Sequence, residues 1–309
     1  FSDESSPSSK WADGFGNGRF VLPRLMIIQK DGGWAIHLAT SETDRTESGL
    51  QQISVFLDSV NFEDVSPAVF SGHIVQRKDL PDRSDWVSGV EYALSQIKAG
   101  GLQKVVLSRC SQFTFDRAVD APGLLSVIRD LDQAAYHFCF QFGGASFIGG
   151  TPERLVCREG RDIWTEALAG TAKRSADLDE DYRRGVALLS AKKEGAEHEL
   201  VSRSIRNSLM PLTTDLTSQV APELVKLPHV FHLVDRFSGV LGSTVLDGDI
   251  LSELHPTPAV AGYPKSDSLV LLSEIESHDR GWYAGPVGWL GENEMECVVA
   301  IRSGLVSGD

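Results

Sequence analysis

Trp86, Val90, Leu94 and Ile97 recur at the spacing of one helix face, and Gly100-Gly101 supplies the stop. A second helix is predicted to open at Asp120, with Pro122 in its first turn, and to run through Leu131. Between and around these, apolar and polar positions alternate as strands do. Residues 19–39 read as strands broken by Asp31-Gly32-Gly33, a hairpin signal. Residues 47–80 alternate weakly and predict strands, and 104–115 alternates as one strand. Residues 135–168 predict three or four strands separated by Gly143-Gly144, Gly149-Gly150 and Glu159-Gly160. A long helix is predicted over 179–209, ended by Pro211. Strands follow around 222–241, short helices over 247–253 and 266–277, and closing strands over 282–290 and 295–306.

Runs of strands between isolated helices, without strict βαβ alternation, predict an α+β fold with large, mostly antiparallel sheets. The Ser-rich opening FSDESSPSSK predicts an unstructured segment over 1–15. No proline-rich or charged linker divides the remainder, so a single domain is expected over 16–309.

Charge narrows the classes of partner. Asp plus Glu number 43 against 29 Lys plus Arg, a formal net charge of −14. That balance argues against nucleic acid, whose phosphates call for clustered cations, and against an anionic membrane surface. No uncharged apolar run approaches the ~18 residues of a spanning helix. Cys110, Cys139, Cys157 and Cys297 form no CxxC pair. They read as small buried thiols of a reducing, cytoplasmic protein.

Several motifs carry chemistry. Lys104, in GLQKVVLSR, shares a strand face with Val106 and Ser108. It is either a solvated edge lysine or, if desolvated, a general base. Glu153, in FIGGTPERLV, follows a turn at the mouth of a strand, as a solvent-facing carboxylate or as a general acid opposite Lys104. Glu194 and Glu197, in KKEGAEHELV, share one helix face that continues apolar through Val201 and Ile205. Carboxylates in such a stripe need a partner, and a hard divalent cation such as Mg2+ suits oxygen donors. His198 reads as a helix neighbour rather than a ligand. Gly170 and Thr171, in TEALAGTAKR, offer a close backbone approach and a hydroxyl, or a plain turn. Prolines 256, 258 and 264 stiffen the loop LHPTPAVAGYPK. In MECVVAIRSGL, alternation sets Glu296, Val298, Ala300 and Arg302 on one face. Arg302 is then either a surface residue or a bidentate carboxylate clamp.

Taken together and in order, KVVLSR, TPERL, LAGT, EHELV, HPTPAVAGYP, DRGWYAGPVGW and VVAIR resemble the blocks of the chorismate-utilising enzymes. That family comprises isochorismate, salicylate, anthranilate and aminodeoxychorismate synthases. The resemblance runs from about Trp86 to the end of the chain and is nearest to isochorismate synthase. It implies sheets packed face to face with helices outside. It also implies a Mg2+-dependent isomerisation of chorismate to isochorismate, for menaquinone or siderophore formation. Lys104 stands where a water-activating base is implied, which the ammonia-using members lack, so no amidotransferase subunit is expected. Glu153 is implied as the acid for the departing C4 hydroxyl. Glu197 and Glu194 are implied as the metal site, Arg302, Gly170 and Thr171 as carboxylate contacts, and Ala259 and Val260 as the ring lining. Salicylate synthase and a non-catalytic homologue are the alternatives. Family members carry a further strand and helix, with another metal-binding Glu and a substrate-binding Lys. These have no counterpart before Asp309, so the gene product is expected to be longer than this chain.

Overall fold

The computed structural model describes residues 11, 15–30, 32–60 and 71–308. They divide into two compact units, Gly18–Pro67 and Ala68–Asp309 together with the segment ending at Asn17. The sequence marks no linker within 16–309, and Gly18–Pro67 forms a compact unit of its own within that range. Most of the segment expected to be unstructured, over 1–15, lies outside the described residues. Of its two described members, Phe15 is 1% exposed and Trp11 packs edge-on against it and Phe147.

In the smaller unit, β1 (Leu25–Lys30) and β2 (Gly33–Leu38) form the predicted hairpin, with Lys30 opposite Gly33. A helix, α1 (Glu47–Ser59), stands where strands were expected. Its apolar positions fit either period, and the cap decides: Gly49 N donates to the Thr46 hydroxyl, and Gly49 and Ile53 turn inward together. The part of that expectation over 61–70 lies outside the described residues.

The larger unit begins with β3 (Ile74–Leu80) and α2 (Arg83–Ala99), whose Asp82 cap accepts from the amides of Ser84 and Asp85. The strand expected over 104–115 is two strands, because the chain changes partners on the way. Thus β4 (Lys104–Val105) is followed by a run in which Val106 N donates to Ala261 O, and only then by β5 (Cys110–Phe115), which pairs with β3. Helix α3 (Ala121–Leu131) starts at its Asp120 cap as predicted.

Four strands then run β6 (Tyr136–Phe142), β7 (Ala145–Thr151), β8 (Arg154–Glu159) and β9 (Asp162–Lys173). Gly149 and Gly150 do not separate strands but lie inside β7. A side chain at Gly149 would run into the Phe138 ring and Ser303, and one at Gly150 into Ile128, so close packing is what both positions require.

The expected long helix is broken at Ala191, which is extended, into α4 (Leu178–Ser190) and α5 (Lys192–Leu209). After these come β10 (Thr213–Ser218), β11 (Glu223–Lys226), β12 (Val230–Leu241), α6 (Asp247–Leu254), β13 (Gly262–Tyr263) and α7 (Lys265–Ile275). The last strands are β14 (Pro286–Leu290), β15 (Glu294–Val299) and β16 (Ser303–Val306).

The fold is α+β, and the strand pairs are antiparallel. One sheet has seven strands in the order β10-β12-β9-β8-β15-β14, with β11 on β12; another has the order β16-β7-β6. The apolar stripe of α5 (Val201, Ile205, Leu209) and that of α6 (Ile250, Leu254) bury against Leu155, Ala167, Phe237 and Met295 of the large sheet. Each such side chain contributes ~1.5–3 kcal/mol by leaving water. An aromatic cluster joins the two sheets: Phe138, Phe140, Phe142 and Phe147 meet Val287, Val298 and Trp282.

Strand β15 therefore has core on both faces, Met295, Cys297 and Val299 on one and Val298, with Ala300 just beyond the strand, on the other. The single strand expected over 295–306 stops at Val299 and resumes as β16 in the other sheet. Between them Arg302 takes φ 50, so it leaves the alternation that put it on a face with Glu296. The cysteines are not uniformly buried: Cys297 is, Cys157 is intermediate, and Cys110 and Cys139 are exposed. Among the described residues, no helix is long and apolar enough to cross a membrane.

Candidate active site

Lys104 reaches the site from β4, which pairs with β13 so that Lys104 faces Tyr263. Its side chain is 14% exposed, and its Nζ lies 3.0 Å from Glu197 Oε1. Glu197 projects from the first half of α5 and is 40% exposed. With its side chain largely covered and paired with Glu197, Lys104 is not the solvated edge lysine that was the other reading.

Glu153 sits where the chain leaves β7 for β8 and so passes from one sheet to the other. Its backbone is held on both sides, by its own N–H to Thr151 Oγ1 (3.2 Å) and by Val299 N–H to its carbonyl (2.9 Å). The side chain is buried, and that burial pushes its carboxyl up to about 7, against the opposing pull of the Lys104 charge. Burial thus favours the protonated form, the condition of a proton donor.

Gly170 is the extra residue of a bulge between β9 and β12: Thr171 pairs with His232 and Ala169 with Leu233. It takes φ 76, and a Cβ there would stand 3.2 Å from Glu194 O, so the bulge lets the sheet approach α5 at the glutamate pair. Thr171 is exposed, with its hydroxyl 3.0 Å from His232 Nδ1. Glu194 is half-buried on α5, one turn before Glu197.

Ala259 and Val260 belong to the loop before β13. Ala259 is half-buried against the main core, and Val260, 6% exposed, is part of it. Arg302 is 44% exposed, with Nη1 3.2 Å from Asp132 Oδ2. The structure thus gathers Lys104, Glu153 and Glu197 around one spot, and Gly170 and Glu194 at its side. Arg302 is engaged with Asp132.

Two residues not singled out from the sequence, Tyr283 and His232, adjoin these, as does His198. Tyr283 is half-buried; burial raises its hydroxyl pKa, with the Glu153 charge among the smaller contributions in the same direction. His232, at the bulge, is held below its ordinary pKa by burial first and by the Arg302 charge as well. Behind Glu197, His198 is buried with Nε2 3.3 Å from Asp235 Oδ2, the oxygen to which the Ser202 hydroxyl donates, so it faces β12. His232 sits four residues beyond Pro228 with nothing in its spacing to mark it. Tyr283 was on view only inside DRGWYAGPVGW.

A cavity of about 120 Å3 opens beside Ser204, Ser208, Glu253 and Tyr263, but none of the nine predicted residues lines it. Its Lys265 already donates to Ser252 O and His255 O. The gathering of Lys104, Glu153 and Glu197 is the better chemical candidate. Among the described residues, no three His, Cys, Asp or Glu cluster as metal ligands. A two-carboxylate site is what α5 offers. Mg2+ commonly binds through one or two carboxylates and keeps several waters, so the donor set fits.

Residues 1–309 match the family described as chorismate binding enzyme. Isochorismate synthase MenF of Bacillus subtilis is 34% identical over 306 residues, covering 97% of this chain and 64% of that protein. The chloroplastic isochorismate synthase of Catharanthus roseus is 35% identical over 305 residues, 96% of this chain and 52% of the relative. The solved structure of MenF, the menaquinone-specific isochorismate synthase from Escherichia coli, superposes with a TM-score of 0.86 at 30% identity. It covers 93% of this chain and 67% of that one. The chain thus spans between about half and two thirds of the length of these relatives.

Proposed function

The chain belongs to the chorismate-binding enzyme family, and on that premise we propose that it forms the catalytic part of an isochorismate synthase. The observation that carries the reading is Glu153: a buried carboxyl held near neutrality within range of a lysine charge. That pairing suits a reaction which adds water at one ring carbon and removes a hydroxyl from another.

Lys104, once deprotonated, takes a proton from the water that attacks C2 of chorismate. Glu153, protonated, gives its proton to the C4 hydroxyl, which leaves as water while the ring double bonds shift. The two roles call for opposite protonation states in one small volume, and burial of Glu153 supplies its half of that condition. Lys104 donates to Glu197 in the structure, so its lone pair becomes available only when that proton is gone. Glu194 and Glu197 would hold Mg2+, which when bound supplies positive charge for a substrate carboxylate. Gly170 and Thr171 contribute a backbone approach and a hydroxyl to the same end. Ala259 and Val260 present apolar surface to the ring. Arg302 would exchange Asp132 for the second carboxylate of the substrate. A chain of net charge −14 repels a dianion at long range, so these local cations have to do the attracting.

The names of the relatives support isochorismate as the product, and menaquinone is the destination named for the Escherichia coli relative; an aryl-acid siderophore is the alternative destination. Chromatography of chorismate incubated with the full-length protein and Mg2+ tests the proposal. Isochorismate as the main product is expected, and Lys104→Ala should abolish its formation while chorismate still binds. Salicylate with pyruvate would make this a salicylate synthase, and unchanged chorismate would make it a non-catalytic homologue.

A further inference from the structure

An ion pair outside the nine candidate residues ties together the segments that carry Lys104 and the ring lining. Arg280 and Glu276 have side chains 3% and 8% exposed. The Arg280 guanidinium donates through Nε to Glu276 Oε2 (2.7 Å) and through Nη2 to Oε1 (2.5 Å). Its remaining directions reach two carbonyls: Nη1 to Val260 O and Nη2 to Val106 O, each 2.8 Å. Glu276, which caps the end of α7, also accepts from Ser108 N–H (2.6 Å), and the Ser108 hydroxyl lies 2.9 Å from His278 Nε2.

Three stretches of chain therefore converge on one buried guanidinium: 104–108, the loop through Val260, and the turn from Glu276 toward Tyr283. Main-chain bonds from Gln103 N to Tyr263 O and from Val106 N to Ala261 O close the same junction from its other side. A buried ion pair is a weak stabiliser, since the desolvation of both partners offsets most of their attraction. What a planar five-donor fork supplies well is geometry, because it fixes several acceptors at once.

We propose that Arg280 and Glu276 are positioning residues that set where Lys104 stands relative to Glu153 and Glu197. The inference rests on the reading of Lys104 as the base. Displacement of a reacting group by ~1 Å can cost on the order of 100-fold in rate.

Arg280→Lys keeps the charge but cannot span both carbonyls and the carboxylate. It should lower kcat for chorismate by about 10- to 100-fold while KM stays within about threefold. The control is Arg158→Lys. That buried residue holds Asp247 (2.7 and 3.1 Å) and touches none of the candidate residues, so it should lower Tm without changing kcat. Amide hydrogen exchange gives a second readout: Arg280→Lys should speed exchange at Gln103, Val106 and Ser108 and leave β9 and β12 as they were. Glu276→Asp, which draws the carboxylate back from Ser108, serves if the lysine variant does not fold. A kcat within threefold of wild type, or unchanged exchange at those three amides, overturns the proposal. Absence of turnover in the full-length wild-type protein would overturn the base assignment instead, and the exchange arm would then decide the clamp alone.

Discussion

Glu153 and Glu197 are the same residue type, both within reach of the Lys104 charge, and the fold treats them differently. Glu153 sits in the crossing from β7 to β8 with its side chain buried, and its carboxyl is pushed up to about 7. Glu197 stands on a helix that leaves it 40% exposed and in an ion pair with Lys104. A site that must both donate a proton and hold a cation needs one carboxylate of each kind. The difference comes from the elements beneath them. A strand crossing between two packed sheets has core on every side, whereas a helix laid on a sheet keeps one edge toward water.

Each expected outcome below presses on that contrast, the largest first. Glu153→Gln removes the acid while leaving its shape and should lower kcat by ~10²–10⁴-fold. It should also erase the fall in rate above about pH 7 that deprotonation of Glu153 imposes on the wild type. A pH–rate profile of the purified variant checks both, and an unchanged profile would return Glu153 to a structural role.

The next effect is on stability. The carboxyl of Glu153 rises from an ordinary 4.5 to about 7 on folding, so folding favours its protonated form. The stability tied to that proton is complete below pH 4.5 and is lost as pH climbs through 7, a change of roughly 3 kcal/mol. Urea unfolding across that range should show the decline in the wild type and a flatter curve in Glu153→Gln.

Glu197→Gln should weaken Mg2+ by about tenfold or more, since it removes one of the two carboxylates that α5 offers. A Mg2+ titration of activity or of binding heat measures it, and an unaltered titration would take Glu197 out of the metal site. Glu194→Gln should have the smallest effect, roughly threefold on the same titration. Its side chain stands one turn further back, and the main-chain contact with Gly170 survives the substitution.

Much of the local structure was legible before the fold. Asp120 capped its helix, Gly100 ended another, and the hairpin turned at Gly32, because these signals act within a few residues. The chemistry of the site was legible as residue types: Lys104, Glu153, Glu194 and Glu197 were all in view. Their roles came from a resemblance in motif order rather than from spacing. Signals that depend on distant partners were not legible. Gly149 and Gly150 looked like a turn until Phe138 and Ile128 were seen against them. Trp11 and Phe15 follow a Ser-rich stretch, and only the aromatic cluster makes them core. Glu276 and Arg280 stand four apart on the chain with nothing in that spacing to mark them, yet they are buried together at the junction of three segments.

The sequence alone therefore determined where helices cap, where the chain can alternate, and which side chains can move protons or hold a hard cation. Those properties belong to a residue and its near neighbours. The tertiary structure alone decided that Lys104, Glu153 and Glu197 meet, that one glutamate is dry and the other wet, and that Arg302 faces Asp132. Solvation and charge act through space, and positions 104, 153 and 197 acquire a common environment only once β4, the β7–β8 crossing and α5 are packed together.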